Sequence, residues 1–292
     1  MINPWVNEKY TFWLLLKFVK INTIKTQKGN GLMTITLGCG PDKKSLSDIS
    51  ITALSEDESY KLCVKADALR LANMFQESVS KYLRAIFNNR ENIDAYYGLA
   101  LSYKGLRNYD KAIETLEKAI LIKDDDFAIF YELGICHLMN GTPCPAIKCL
   151  VRSIQLNPDN LNAQVQLALA HELVDEKELA LMIYQRIIEV APDFLKAYKH
   201  KAALLMSLDE YKDASTVFNQ ILKVKPTYSK ALLGIGICFD KLKRSVDAMR
   251  YYKRFIENRP ESSHAPFVEN RLFNLKKSRP KQNQFSLVTN PL

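Results

Sequence analysis

Residues 93–126, IDAYYGLALSYKGLRNYDKAIETLEKAILIKDDD, carry two amphipathic patterns in succession. Tyr96, Leu99, Ala100 and Tyr103 are spaced i, i+3, i+4, i+7 and so fall on one side of a helix. Ala112, Leu116 and Ala119 do the same for a second helix. The stretch belongs to a longer rhythm. Alanine returns every 34 residues at Ala112, Ala146, Ala180, Ala214 and Ala248, and proline keeps the same interval at Pro158, Pro192, Pro226 and Pro260. Thirty-four before Ala112 stands Ser78, also small, so the unit can be written six times without an insertion: 59–92, 93–126, 127–160, 161–194, 195–228 and 229–262. A fixed period of this length marks a repeat architecture.

Each unit keeps a grammar. First helices carry a small residue at Ala66, Ala100, Gly134, Ala168, Ala202 and Gly236, where two helix backbones can approach closely. Each closing proline lacks an N–H and clashes inside a helix, so it is expected at the end of the second helix or in the turn beyond. With these signposts the sequence resembles the tetratricopeptide repeat family over residues 59–262. Lys65 and Lys201 stand where that family usually has leucine, and Arg90 and Asp124 where it usually has proline. The resemblance implies an all-α, right-handed α-solenoid of six helix pairs, whose concave side is built from the first helices.

A solenoid buries its core between neighbouring repeats and needs a polar-backed cap. Residues 263–278 read as that cap, an amphipathic helix with Phe267, Leu272, Phe273 and Leu275 among charged residues, and 279–292 read as a disordered tail. Ser55 and Glu58 have capping-box spacing, which starts the ordered solenoid there. Residues 1–58 are otherwise read as largely irregular. The apolar cluster of Trp5, Phe12, Trp13, Leu14, Leu15, Leu16, Phe18 and Val19 is interrupted by Lys17 and has no close small-residue cleavage site. A translation start at Met33 would remove it, and Cys39 sits in a poor lipidation context. No stretch approaches the ~20 apolar residues that span a bilayer, so a cytoplasmic protein is expected.

The six cysteines form no C-x-x-C pair, and Cys136 and Cys238 take the same first-helix position, as reduced structural thiols would. His137 and His171 stand where other units have Tyr103 or Phe239, and so read as packing rings with one satisfied nitrogen. No phosphate-cradling glycine loop, activated nucleophile or metal constellation has usable spacing. The expectation is therefore a non-enzyme without metal or cofactor.

The concave face can be listed by phase. It offers Tyr97, Leu101, Tyr131, Ile135, Leu138, Val165 and Leu169 as an apolar, partly aromatic stripe, followed by Lys196, Lys199, His200 and Lys230. An exposed stripe of this kind marks a binding face, unless its members bury one another. The expected ligand is a peptide segment of a protein partner. Some family members clamp chaperone C-termini with groove lysines and asparagines; here Lys199 is followed by Ala203 and Gly234, which disfavours that mode.

The net charge of +9 lies almost wholly at the C-terminal end, where Lys241 to Lys281 hold twelve basic and four acidic residues. Lys241, Lys243, Arg244, Arg250, Lys253 and Arg254 form a basic patch, read either as a solvated face or as a surface for an acidic protein or nucleic acid. Tyr252 and Phe255 interleave with it at packing positions, so base stacking is not implied.

Overall fold

The computed structural model describes residues 46–277, with side chains from residue 58 onward. The apolar cluster near Trp5, Met33, Cys39 and the tail 279–292 lie outside the described residues. Among these there are thirteen helices and no strand. The first helices of successive pairs are α1 (Leu46–Leu71), α3 (Ile93–Gly105), α5 (Phe127–Met139), α7 (Leu161–Leu173), α9 (Leu195–Ser207) and α11 (Ser229–Lys241). The second helices are α2 (Phe75–Asn88), α4 (Tyr109–Ile122), α6 (Pro143–Leu156), α8 (Lys177–Val190), α10 (Tyr211–Val224) and α12 (Ser245–Asn258), and α13 (Ala265–Lys277) follows alone. From α2 to α13 each helix packs on its neighbours in sequence, as in an α-solenoid.

The core repeats with the sequence. The alanines of the second helices are fully buried, and so are Tyr82, Leu116, Leu150, Tyr184 and Tyr252, each four residues after the small residue of its helix. Close approach is real at Gly236: a Cβ there would come 2.6 Å from the Tyr252 ring. Pro158, Pro192, Pro226 and Pro260 each fall two residues past a second helix, where their missing N–H costs no helical bond.

The turn within each pair also repeats. Asn73, Arg107, Gly141, Asp175, Asp209 and Lys243 all have φ between 58° and 75°. At each, the next residue's N–H reaches back to a carbonyl of the first helix, as Asn108 does to Tyr103 at 2.9 Å and Arg244 to Phe239 at 2.8 Å. This left-handed residue closes a Schellman-type stop, which satisfies carbonyls that the ended helix leaves open.

Two expectations are corrected. Ser55 does not start a helix, because α1 runs through it from Leu46. A capping box needs the free N–H groups of a first turn, and inside a helix these are already bonded. The terminal helix forms, but its covered face is Ala265, Val268, Leu272 and Leu275, while Phe267 and Phe273 remain 56% and 66% exposed. The i, i+3, i+7, i+10 spacing of the four sets that face. Arg271 locks it down with two hydrogen bonds to Asp240, at 2.5 and 2.7 Å.

Candidate peptide-binding groove

Residues at the second, fifth, ninth and twelfth positions of a first helix share one face, since i, i+3, i+7 and i+10 come round together. On that face Tyr97, Leu101, Tyr131, Ile135, Leu138 and Leu169 are half-buried. Tyr97 packs against the buried cluster of α3–α5, Tyr131 and Leu138 against Ala146 and Leu150, and Leu169 against the cluster around Tyr184. The stripe therefore lies against the core on one side and meets solvent on the other. Burial, with Glu132 nearby, pushes the Tyr131 hydroxyl up to about 12, so it stays a neutral donor.

Val165 is a correction. It is 0% exposed, enclosed in the core cluster of Ala168, Tyr184 and Tyr198, and cannot touch a ligand. The fifth position lies at the edge of the helix pair, and a compact β-branched side chain sinks there where a tyrosine ring extends outward.

Charge divides along the face. In the second and third units Lys104 is tied to Glu132 across α3 and α5, which leaves that stretch neutral. Further along, the Lys196 amine donates to Asn162 Oδ1 at 2.9 Å, joining α9 to α7. The His200 ring stacks on Tyr184, so His200 is half-buried between repeats, not displayed freely. Burial and then the charges of Lys196 and Lys199 hold the His200 pKa below its ordinary value, and burial with Lys199 lowers that of Lys196. Lys199 and Lys230 are exposed, and among the described residues neither pairs with a carboxylate.

Asn162 is a polar group that phase counting missed, although it stands 34 residues before Lys196, as Lys196 does before Lys230. His137 and His171 behave as packing rings: one nitrogen of His137 meets Thr142 at 3.0 Å, and one of His171 meets Glu176 at 2.6 Å. Burial lifts the thiols of Cys63, Cys136, Cys149 and Cys238 to about 11, so they are unreactive at neutral pH.

All six residues of the basic patch are exposed. Arg244 lies 4.6 Å from the Phe239 centroid and pairs with Asp247, Arg254 lies 5.5 Å from the Tyr251 ring, and Lys241 lies 6.0 Å from that of Tyr211. Arg250 and Lys253 have no carboxylate partner among the described residues. Tyr252 and Phe255 are buried and unavailable for stacking on a ligand. No group of three or more His, Cys, Asp or Glu among the described residues could hold a metal ion, and none of their helices is long and apolar enough to cross a membrane.

Known proteins place this architecture. The family model described as tetratricopeptide repeat matches residues 93–126, and a second model of the same description matches residues 230–262. No curated protein sequence matches the chain. Among solved structures, the C-terminal part of a TPR repeat-containing protein from Cytophaga hutchinsonii superposes with a TM-score of 0.61 at 16% identity, covering 75% of this chain and 97% of that one. PilW, a type IV pilus biogenesis factor, gives 0.60 at 21% identity over 72% and 98%. PilF of Pseudomonas aeruginosa gives 0.58 at 14% identity over 74% and 98%. Identities this low speak for a shared fold alone. With two units recognised as tetratricopeptide repeats and, among the described residues, helix pairs that recur in register at the same 34-residue period, the chain is a tetratricopeptide repeat protein.

Proposed function

We propose that the protein is a non-catalytic protein–protein interaction scaffold that binds a peptide segment of a partner along the face formed by its first helices. The observation that carries this reading is the row of half-exposed apolar side chains, Tyr97, Leu101, Tyr131, Ile135, Leu138 and Leu169, on successive first helices. Tyr97, Tyr131, Leu138 and Leu169 are anchored on their inner side, so much of the row is preorganised and a bound segment need not order it. The reading takes six units from 59 to 262 followed by the cap, and a cytoplasmic place of work, in keeping with five unpaired cysteines among the described residues.

Site-specific photo-crosslinking tests it. A crosslinker at Leu101 or Ile135 should trap a partner segment, whereas one at Arg186 on the opposite side of the pair should not. Changing Tyr97, Leu101 and Tyr131 together to alanine should abolish the crosslink from Ile135 and leave helical circular dichroism intact. Crosslinks arising only from Arg186 would overturn the reading.

A second reading rests on the exposed basic end, where Arg250 and Lys253 lack acidic partners. It makes α12 and α13 a surface for nucleic acid or an acidic protein. Phosphate binding there would weaken steeply with salt, whereas apolar groove binding would not.

A further inference from the structure

The face is not uniform along its length, and the change in character bears on what it holds. Position-two side chains of neighbouring units reach one another, since the Lys196 amine meets Asn162 Oδ1 at 2.9 Å from one unit to the next. Lys230 is the next member of that row, 34 residues on. Lys199 and His200 follow Lys196 by three and four residues on α9, one helical turn along the same side. Three lysines, with the His200 ring tucked beside them, are thus gathered over the fifth and sixth units.

No carboxylate offsets them. The acids at the twelfth positions of the flanking units are already engaged: Glu172 accepts from the Tyr184 hydroxyl at 2.6 Å, and Asp240 is held by Arg271 and accepts from Tyr252. Lys196 and His200 feel burial and the neighbouring lysines, with no anion to relieve either. The Lys104–Glu132 pair shows the opposite arrangement at the other end of the face.

We propose that the segment bound on this face is acidic at one end and apolar at the other, its Asp and Glu carboxylates held by Lys196, Lys199 and Lys230 while its apolar side chains lie on Leu101, Tyr131 and Ile135. This rests on the groove reading given above and names the chemistry of its ligand. A carboxylate entering between Lys196 and Lys199 replaces like-charge repulsion with two charge-assisted hydrogen bonds. A nucleic-acid strand could satisfy the lysines, but its phosphate backbone has nothing to lay on the adjoining apolar row. A peptide carries both kinds of side chain.

A random sixteen-residue peptide library displayed on phage and selected against the intact protein provides the test. Selected peptides should combine two or more acidic residues with aliphatic or aromatic ones. Selection on a Lys196→Ser, Lys199→Ser, Lys230→Ser variant should keep the apolar residues and lose the acidic ones. The best peptide should bind that variant about tenfold more weakly by fluorescence anisotropy. Acid content that is absent, or unchanged on the variant, overturns the proposal while leaving the groove reading intact. Peptides that bind the Tyr97, Leu101, Tyr131 alanine variant undiminished overturn the groove reading itself, and a selection that enriches nothing overturns both. Displacement of the peptide by an equal concentration of a thymidine 16-mer would assign the lysines to phosphate instead.

Discussion

The imidazole of His200 lies flat on the ring of Tyr184, with centroids 5.9 Å apart and planes 14° from parallel. His200 is the sixth residue of its unit and Tyr184 the twenty-fourth of the unit before. The same two positions meet at two further junctions, with glycine in the histidine's place. A Cβ on Gly98 would come 2.3 Å from the Tyr82 ring, and one on Gly234 would come 2.5 Å from the Phe218 ring. A ring at position twenty-four thus demands either nothing opposite it or a flat partner. Where that position is Leu116 or Leu150, the residue opposite is Glu132 or Gln166.

Gly98→Ala is therefore expected to destabilise the protein, although alanine favours a helix over glycine by about 1 kcal/mol. Tyr82 is fully buried and its hydroxyl is fixed by Asp67 at 2.7 Å, so the ring cannot retreat freely. Overpacking of this kind costs about 1–3 kcal/mol. Tyr82→Leu should absorb much of the Gly98→Ala effect, giving a double variant less destabilised than the sum. Additive urea midpoints would show that the two side chains do not compete for one space.

Acid should weaken the fold through two half-buried imidazoles. Burial depresses the pKa of both His137 and His200 below the ordinary 6.5. The unfolded chain then binds these protons first as the pH falls. Their contribution to stability is complete above about pH 6.5 and declines below it, toward the depressed values. Glu172, whose pKa burial raises, works in the opposite direction. For that reason the check is a difference: melting temperatures between pH 7.5 and pH 5.5 should fall less for a His137→Gln, His200→Gln variant than for the parent. Equal slopes would remove the two histidines as its source.

The left-handed turn residues offer a gain in stability. Arg107 and Lys243 adopt φ of 58° and 61°, a conformation that costs a residue with a Cβ about 1–2 kcal/mol. Glycine removes that strain but adds freedom to the unfolded chain. Arg107→Gly or Lys243→Gly should thus raise stability by about 0.5–1 kcal/mol, read as a higher urea midpoint with an unchanged slope. Gly141→Val should lower it.

That series also shows what could and could not be read from the amino acids. Period, helix pairing and small positions were legible because each is enforced by packing, and an exchange there leaves a clash or a void. The left-handed turn was visible only in part. Asn73, Gly141, Asp175 and Asp209 are residues suited to positive φ at the 34-residue interval, but Arg107 and Lys243 break the pattern, since backbone hydrogen bonds fix the turn whatever side chain stands there. Phase counting placed Tyr97, Leu101, Tyr131 and Ile135 at half-exposed positions and failed at Val165. Phase assigns a direction to the Cα–Cβ bond, and side-chain size then decides whether the group emerges or sinks. The faces of α13 were missed for a related reason: among the described residues nothing covers the ring position taken by Phe273, which stays 66% exposed.

One ion pair ties α13 to α11. Asp240 receives two hydrogen bonds from Arg271 and one from the Tyr252 hydroxyl at 3.3 Å, and its side chain is only 13% exposed. Arg271→Ala leaves that carboxylate with a single neutral partner, at a cost of about 1–2 kcal/mol because the site is partly wet. In a solenoid each element contacts only its neighbours, so the loss should stay local. Amide hydrogen exchange is expected to quicken through α13 and the C-terminal half of α12 and to remain unchanged from α3 to α9. Asp240→Asn in the Arg271→Ala background should recover part of the protection, since a neutral amide tolerates the site without a cation. A uniform rise in exchange from α2 to α13 would mean that Arg271 supports the entire stack and not α13 alone.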